Sequence, residues 1–402
     1  MGLLPPERGG RFVCGLAIHG WELAKQARDH GYEVSFLAPS RPGFPDLIDG
    51  IKIVRISDPT WLKPLKAVRS LPFLGHRYDL TDSLTLKEKI AFAVRSRFLN
   101  KVLPVLSPQV VHVHGRENPW ALSVRAVSDS IPLVISHHGF LKASAREKDL
   151  AKARSVVGCA DYFVLVSRFL LRKDYDLLKD FRGRVDVINN PVDSGRVPLM
   201  DKNRAKRGLG LDDRKVIFFS GICDSLGIKG LGTLLDSYAG STSLRDSCRL
   251  IMIADPEGMA YASRFLSEKR IDGTVMGPQS QEKLAALYNA ADVFVMPSRS
   301  EAFPLVFLES LLAGVPVVGY QQSVEELAEL LGIYVGEPYD ASRESPEDLA
   351  SKIIKALQVD ADRSLIRQSI IGTLSWDSSF PKYDDIYRDL VGRSHGIDRR
   401  FA

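Results

Sequence analysis

Glu301 and Glu309 lie eight residues apart in the stretch Glu301-Ala-Phe-Pro-Leu-Val-Phe-Leu-Glu309. Directly before them runs Ala291-Asp-Val-Phe-Val-Met-Pro297, an apolar segment that reads as a buried strand. A strand, a polar turn and a helix start form a geometry that binds phosphate. The first helical N–H groups have no backbone partner and carry the positive end of the dipole. A carboxylate in such a turn is a poor phosphate ligand, but it accepts strongly from the hydroxyls of a polyol. Eight helical residues make a little over two turns, so the two glutamates could reach opposite ends of one extended ligand. Hydroxyls at both ends with phosphate between them describe a nucleotide sugar. Two solvated glutamates on a surface helix have the same spacing, and the neighbours must separate the two readings. Leu311-Leu-Ala-Gly-Val-Pro-Val-Val318 follows at once as a helix end, a glycine stop and a second apolar strand. The pair therefore belongs to a β-turn-α-turn-β unit at the carboxyl end of a strand, where open α/β sheets bind ligands.

Two further residues have the types and positions for ligand contact. His138, in Ser136-His-His-Gly139, ends an apolar run, and strand alternation turns His137 the other way. A structural histidine would look the same. Gly15 stands where Gly15-Leu-Ala-Ile-His19 enters a helical pattern, and a glycine there lets backbone approach phosphate or sugar. Gly9-Gly10 is the other candidate for that loop, and an ordinary helix start is the competing reading.

The elements that must position these residues alternate. Residues 33–38, 51–56, 110–113, 133–136 and 162–166 read as strands separated by helix-length segments. The pattern restarts after a polar, linker-like stretch at 194–214, with strands expected at 216–220, 249–254, 273–276, 293–295 and 315–318. Strands alternating with helices imply parallel sheets covered on both faces. A chain of 402 residues exceeds a single core, so two domains are expected, at 1–195 and 196–377. Only Met1-Gly-Leu-Leu4 precedes Pro5-Pro6.

Composition excludes some classes. Hydrophobic residues make 45% and charged residues 26%, the balance of a globular protein. A net charge of +5 is too small to argue for nucleic acid and suits an anionic nucleotide or membrane surface equally. Cys14, Cys159, Cys223 and Cys248 are scattered without metal-ligand spacing, so free thiols in a reducing cytoplasm are expected. No run is long and apolar enough for a transmembrane helix. Residues 61–101 carry nine Lys and Arg residues among apolar ones, a candidate for peripheral contact with an anionic membrane, although a solvated helix pair fits as well.

Ala291 to Val318 resembles the signature of the retaining GT-B glycosyltransferases of family four, with its Glu-x7-Glu motif. Trp21 to Val34, Val110-Val-His-Val-His-Gly115, Val134 to Gly139, Ala160 to Ser167 and Val187-Ile-Asn-Asn-Pro-Val-Asp193 are similar to the family's other segments, in order and spacing. The resemblance implies an α/β chain of two doubly wound, Rossmann-like domains facing across a cleft. The N-terminal one would bind the acceptor and the C-terminal one the nucleotide sugar, with a last helix (378–402) crossing back onto the first.

It also implies roles. Glu301 would bond a sugar hydroxyl and Glu309 the ribose. His138 would lie near the transferred sugar. Lys229, in Lys229-Gly230, would offset the charge of the leaving diphosphate. Ala302, Phe303, Pro304 and Leu305 would line the turn, and the backbone at Met276 and Gly277 would read the base. The donor would be a UDP- or GDP-linked sugar and the acceptor a carbohydrate or a lipid-linked one, at or near the inner face of the membrane. No cofactor or nucleic acid is expected, and no metal either, because no Asp-x-Asp stands at a suitable strand end.

The sequence departs from the family at four places. Ile222 follows Gly221 where an arginine is usual, and the connection to Lys229 is one residue longer. Cys14 precedes Gly15 where glycine is usual, Ala254-Asp-Pro-Glu-Gly258 replaces a glycine-rich turn, and Ala302 replaces a glycine. A degenerate homologue that only binds a sugar nucleotide, or a nucleotide-sugar epimerase on the same fold, therefore stays open.

Overall fold

The computed structural model describes residues 1, 3–5, 8, 15–38, 43–56, 84–115, 120–139, 147–221 and 227–396. The chain divides into two compact units, residues 1–189 with 379–402 and residues 190–378. Each is α/β.

In the first unit, β1 (Ser35–Ala38), β2 (Leu47–Ile48) and β3 (Ile51–Arg55) form a sheet in the order β1-β3-β2. β1 and β3 are parallel, while β2 pairs antiparallel with β3. Asp49 and Gly50 close that hairpin with positive φ at both positions (48° and 75°), the Asp-Gly pattern of a two-residue turn. The second sheet is parallel, β4 (Val111–His114), β5 (Leu133–His137), β6 (Tyr162–Leu165) and β7 (Arg184–Val187) in that order. All five strands expected here form. β2 and β7 were not legible, because one is two residues long and the other is a half-exposed charged edge, Arg-Val-Asp-Val.

The first residues complete this unit. The Met1 amine donates to the His112 carbonyl at 2.5 Å, and the His114 N–H donates to the Met1 carbonyl at 3.1 Å. Leu4 is buried in one cluster with Trp21, Phe36 and Ile53. The helix Gly15–Asp29 turns Ala17, Trp21, Ala24 and Ala27 inward, the three-to-four spacing of an amphipathic helix. Tyr383, Ile386, Tyr387 and Leu390 of the last helix, Trp376–Gly396, are buried, and Tyr387 Oη bonds His112 Nδ1 at 2.7 Å. Those contacts explain why the chain's end belongs with its beginning.

Of the basic stretch 61–101, residues 61–83 lie outside the described residues. The helix Leu86–Leu106 starts at a capping box of Thr85 and Glu88. Its Arg95 points inward over the Trp120 ring, and burial lowers the guanidinium's pKa to about 10. Lys87 and Lys101 are exposed. Among the described residues no helix is long and apolar enough to cross a membrane.

The second unit holds one parallel sheet of six strands, ordered β10-β9-β8-β11-β12-β13. These are β8 (Lys215–Gly221), β9 (Cys248–Ala254), β10 (Gly273–Met276), β11 (Val293–Met296), β12 (Val317–Tyr320) and β13 (Gly336–Tyr339). All five expected strands form. The extra one, Gly-Glu-Pro-Tyr, carries a proline tolerable only at a sheet edge, so propensity hides it. The core strands β8, β9 and β11 are almost wholly buried, which fits a sheet covered on both faces. Strand order reverses between β8 and β11. The carboxyl ends of those two neighbours mark the topological switch point, where open parallel sheets leave a crevice.

Candidate active site

Three helices follow the three adjacent strands β8, β11 and β12, and each starts at a residue that gives no side-chain cap. They begin after Gly230, Pro304 and Tyr320. The helices after β9 and β10 are capped instead, by Asp255, which accepts from Gly258 N–H, and by Ser280, which accepts from Lys283 N–H. Uncapped helical N–H groups at the switch point are suited to an anion. The departure at Ala254–Gly258 thus has a structural meaning: Asp255 closes a helix end with Pro256 in its first turn.

Lys229 and Glu301 meet in this region. Lys229 Nζ lies 2.7 Å from Glu301 Oε1. Lys229 comes from the connection after β8 and Glu301 from the connection after β11, so strand adjacency brings them together. Gly230 permits it. Its φ is +78°, and a Cβ there would stand 2.3 Å from the carbonyl oxygen of Pro297, the first residue after β11. The Arg299 N–H donates to the Ile228 carbonyl at 2.8 Å and ties the two connections. Glu301 is 8% exposed. Tyr320, at the end of β12, has its phenol pKa raised by burial and then by the charge of Glu301.

Glu309 sits on the helix Leu305–Leu312 in a different net of contacts. Tyr288 Oη donates to its Oε2 at 3.0 Å, and Arg196 NH2 approaches Oε1 at 3.3 Å. Arg196 also donates to Gln281 Oε1 at 2.7 Å, and Gln281 Nε2 donates back to the Arg196 carbonyl at 2.8 Å. Burial, then the Glu309 charge and its hydrogen bond, hold the Tyr288 phenol well above its ordinary pKa. Arg196 Nε also donates to Oε1, at 3.4 Å, so Oε1 is filled while Oε2 keeps a lone pair for a ligand hydroxyl. Arg196 comes from 194–214, where a linker was expected. That stretch instead packs on the unit: Arg367 donates to the Val197 carbonyl at 2.6 Å and to the Ser194 carbonyl at 3.1 Å, and residues 202–208 form a helix.

The turn between the glutamates is fixed from behind. Asn190 Nδ2 donates to the Phe303 carbonyl at 2.8 Å, and Phe303 and Pro304 are buried while Ala302 and Leu305 are half-buried. Met276 ends the edge strand β10, and the Gly277 carbonyl accepts from Gln279 Nε2 at 2.7 Å. The second unit thus brings Lys229, Glu301 and Tyr320 into one group and holds Glu309, Arg196, Tyr288 and Gln281 in another along the same helix.

Gly15 and His138 belong to the first unit. Gly15 is the exposed first residue of its helix. His137 and His138 part as strand alternation requires. His137 is buried with Nε2 2.7 Å from Asp174 Oδ2, and His138 lies against the His19 ring, centroids 4.5 Å apart. Ile222, Cys14 and Gly9-Gly10 lie outside the described residues. Sequence reading missed Arg196, Gln281, Tyr288 and Tyr320, because none sits in a local pattern that differs from an ordinary helix or strand end.

Comparison with known proteins agrees with this geometry. Residues 13–196 match the family model Glycosyltransferase Family 4, and residues 201–370 match Glycosyl transferases group 1. A D-inositol 3-phosphate glycosyltransferase of Acidothermus cellulolyticus is 27% identical over 328 residues, 73% of this chain and 70% of that one. An N-acetyl-alpha-D-glucosaminyl L-malate synthase of Bacillus anthracis is 21% identical, covering 76% of each chain. A D-inositol 3-phosphate glycosyltransferase of Segniliparus rotundus matches at 34% identity over 144 residues, only 31% of its length. Among solved structures, sucrose-phosphate synthase of Thermosynechococcus elongatus has a TM-score of 0.70 at 17% identity, covering 98% of this chain and 96% of that one. Anabaena HepE in complex with UDP-glucose has a TM-score of 0.70 at 15% identity, covering 94% and 97%. The two family models abut along nearly the whole chain, and the strand order and switch point are those of their fold: the chain belongs to the family-four glycosyltransferases of GT-B fold.

Proposed function

We propose that this glycosyltransferase is a retaining, metal-independent enzyme that moves a sugar from a UDP- or GDP-linked donor to a carbohydrate or lipid-linked acceptor. The observation that carries the reading is the Lys229–Glu301 pair at the end of β8 and β11, beside three uncapped helix N-termini. Lys229 and the N–H groups of Leu305 and Val306 supply positive potential for a diphosphate. Glu301 has its second oxygen left to accept from a sugar hydroxyl. Glu309, oriented by Arg196 and Tyr288, accepts from the ribose, and the backbone at Met276 and Gly277 borders the base.

Transfer with retention needs an acid–base pair on one face of the sugar. The leaving phosphate itself takes the acceptor proton, so Lys229 works by lowering the cost of charge on the departing oxygen. The family resemblance gives His138 a role near the transferred sugar. The relatives' names are consistent with the class: HepE was solved with UDP-glucose, and two relatives are named for small anionic acceptors, inositol 3-phosphate and malate.

The test is a thermal-shift panel of nucleoside diphosphates and nucleotide sugars, followed by transfer assays with the best donor. A ligand at a hundred times its Kd raises stability by about 2.7 kcal/mol. A selective shift with one nucleotide sugar, and transfer of its sugar with the anomeric configuration kept, is expected. Binding without transfer to any carbohydrate or lipid-linked acceptor would favour a degenerate homologue, to which Ile222 already points. Sugar-nucleotide turnover without an acceptor would favour an epimerase.

A further inference from the structure

Four histidines gather in the first unit, on three elements far apart in sequence. His19 lies on the helix Gly15–Asp29, His112 and His114 on β4, and His138 just beyond β5. His112 is fully engaged within the fold. Its Nδ1 meets Tyr387 Oη and its Nε2 meets Ser136 Oγ, both at 2.7 Å. The other three turn their ring nitrogens toward one another, with one ligand atom from each within 4.8 Å of the others.

We propose that His19, His114 and His138 form a binding site for a borderline transition-metal ion, Zn²⁺ or its substitute Co²⁺. The most telling distance is His114 Nδ1 to His138 Nε2, 3.4 Å. A well-formed hydrogen bond is shorter, about 2.7–3.2 Å. Two imidazoles on one tetrahedral zinc, with Zn–N of about 2.0–2.1 Å, hold their nitrogens ~3.3 Å apart. Ring centroids separated by 4.5 Å (His19–His138) and 5.6 Å (both other pairs) leave room for one ion between the three edges. With all three ligand atoms within 4.8 Å of one another, small ring rotations suffice to close them on one ion.

Chemistry and access agree with the geometry. Imidazole binds zinc as the neutral base. Burial holds His19 and His114 well below the usual histidine range, so both are neutral at pH 7. His19 and His114 are 2% and 5% exposed, while His138 is half-buried and opens the cluster to an entering ion and a water as fourth ligand. His112 stacks on His114 with ring centroids 4.5 Å apart, which steadies that ring. The ion is not a participant in sugar transfer. On the proposed function, which gives His138 a role near the sugar, metal and sugar compete for the same ring, and Zn²⁺ inhibits.

The site is tested on the full chain after stripping with a chelator. Co²⁺ titration should give the intense visible absorption of a four-coordinate ion, discharged by one equivalent of Zn²⁺. His19→Gln and His138→Gln should each weaken Co²⁺ binding by at least ~10-fold, with far-ultraviolet circular dichroism confirming a folded chain. His138 is half-buried, so its variant keeps the test readable if His19→Gln does not fold. Wild-type protein that gives no four-coordinate spectrum overturns the site, as does Co²⁺ binding unchanged in His138→Gln. Inhibition is read separately, as the ratio of transfer rates with and without Zn²⁺. Metal that binds by absorption yet leaves the rate unchanged overturns the competition while the site stands, and an enzyme inactive on every donor speaks only against the proposed function.

Discussion

Lys229 Nζ stands 2.7 Å from Glu301 Oε1 across 72 residues of chain, because β8 and β11 are neighbours and both connections leave at their carboxyl ends. On the proposed function, a cation for a leaving diphosphate and an acceptor for a sugar hydroxyl are thereby held as one unit. Neither side chain has the other's function, and each keeps its partner in place before any ligand arrives.

Lys229→Ala is expected to lower kcat/KM at least ~100-fold, about 3 kcal/mol of transition-state stabilisation. Its effect should couple to that of Glu301. The double variant Lys229→Ala, Glu301→Ala should lose less than the sum of the single losses, by roughly 0.5–3 kcal/mol. A cycle of steady-state kinetics measures this, and wild-type kcat/KM in Lys229→Ala would remove the lysine from the diphosphate.

The two glutamates should separate by parameter. Glu301→Ala is expected to reduce turnover chiefly, and Glu309→Ala to weaken nucleoside diphosphate binding. Calorimetric Kd values and transfer rates for both variants check the split. Nucleotide binding untouched in Glu309→Ala, with full turnover in Glu301→Ala, contradicts the assignment.

Arg196 NH2 lies 3.3 Å from Glu309 Oε1, and on the proposed function it acts by orienting that carboxylate. Arg196→Ala should therefore raise Kd for the nucleotide in the same sense as Glu309→Ala and add little in the double variant. A full second loss on top of Glu309→Ala would mean that Arg196 contacts the nucleotide directly.

Gly230→Ala sets a methyl against the Pro297 carbonyl and forces a left-handed backbone on alanine. Destabilisation of about 1–3 kcal/mol is expected. For a unit of this size that is a drop of several degrees in Tm, at roughly 2–4 °C per kcal/mol. Scanning calorimetry reads it, and an unchanged Tm would show that the β8 and β11 connections move apart freely.

On the proposed function, where Lys229 and helix N-termini carry the diphosphate charge, and on the proposal that a metal at the histidine site inhibits, excess chelator should leave the transfer rate equal or raise it. A rate lost in chelator and restored by Mg²⁺ or Mn²⁺ would mean that the diphosphate is held by a metal.

What the sequence determined by itself was periodic or local. The ten expected strands follow from short apolar runs between helix-length segments, and the residues around Glu301 and Glu309 marked a turn that leads into a helix, because both signals lie within a few residues of chain. The hairpin at Asp49-Gly50 was written in the residues too, but its two-residue strand is below what a period can register. The edge strand Gly336–Tyr339 was invisible because its pairing with β12, and not its own propensity, makes it a strand. Only the tertiary structure decided which residues meet. That Lys229 pairs with Glu301, that Arg196 from an apparent linker reaches Glu309, and that His19, His114 and His138 converge are all products of strand order. Strand order is set by how two sheets bury their faces, a sum over the whole core, and no stretch of residues around any one of these side chains carries that information.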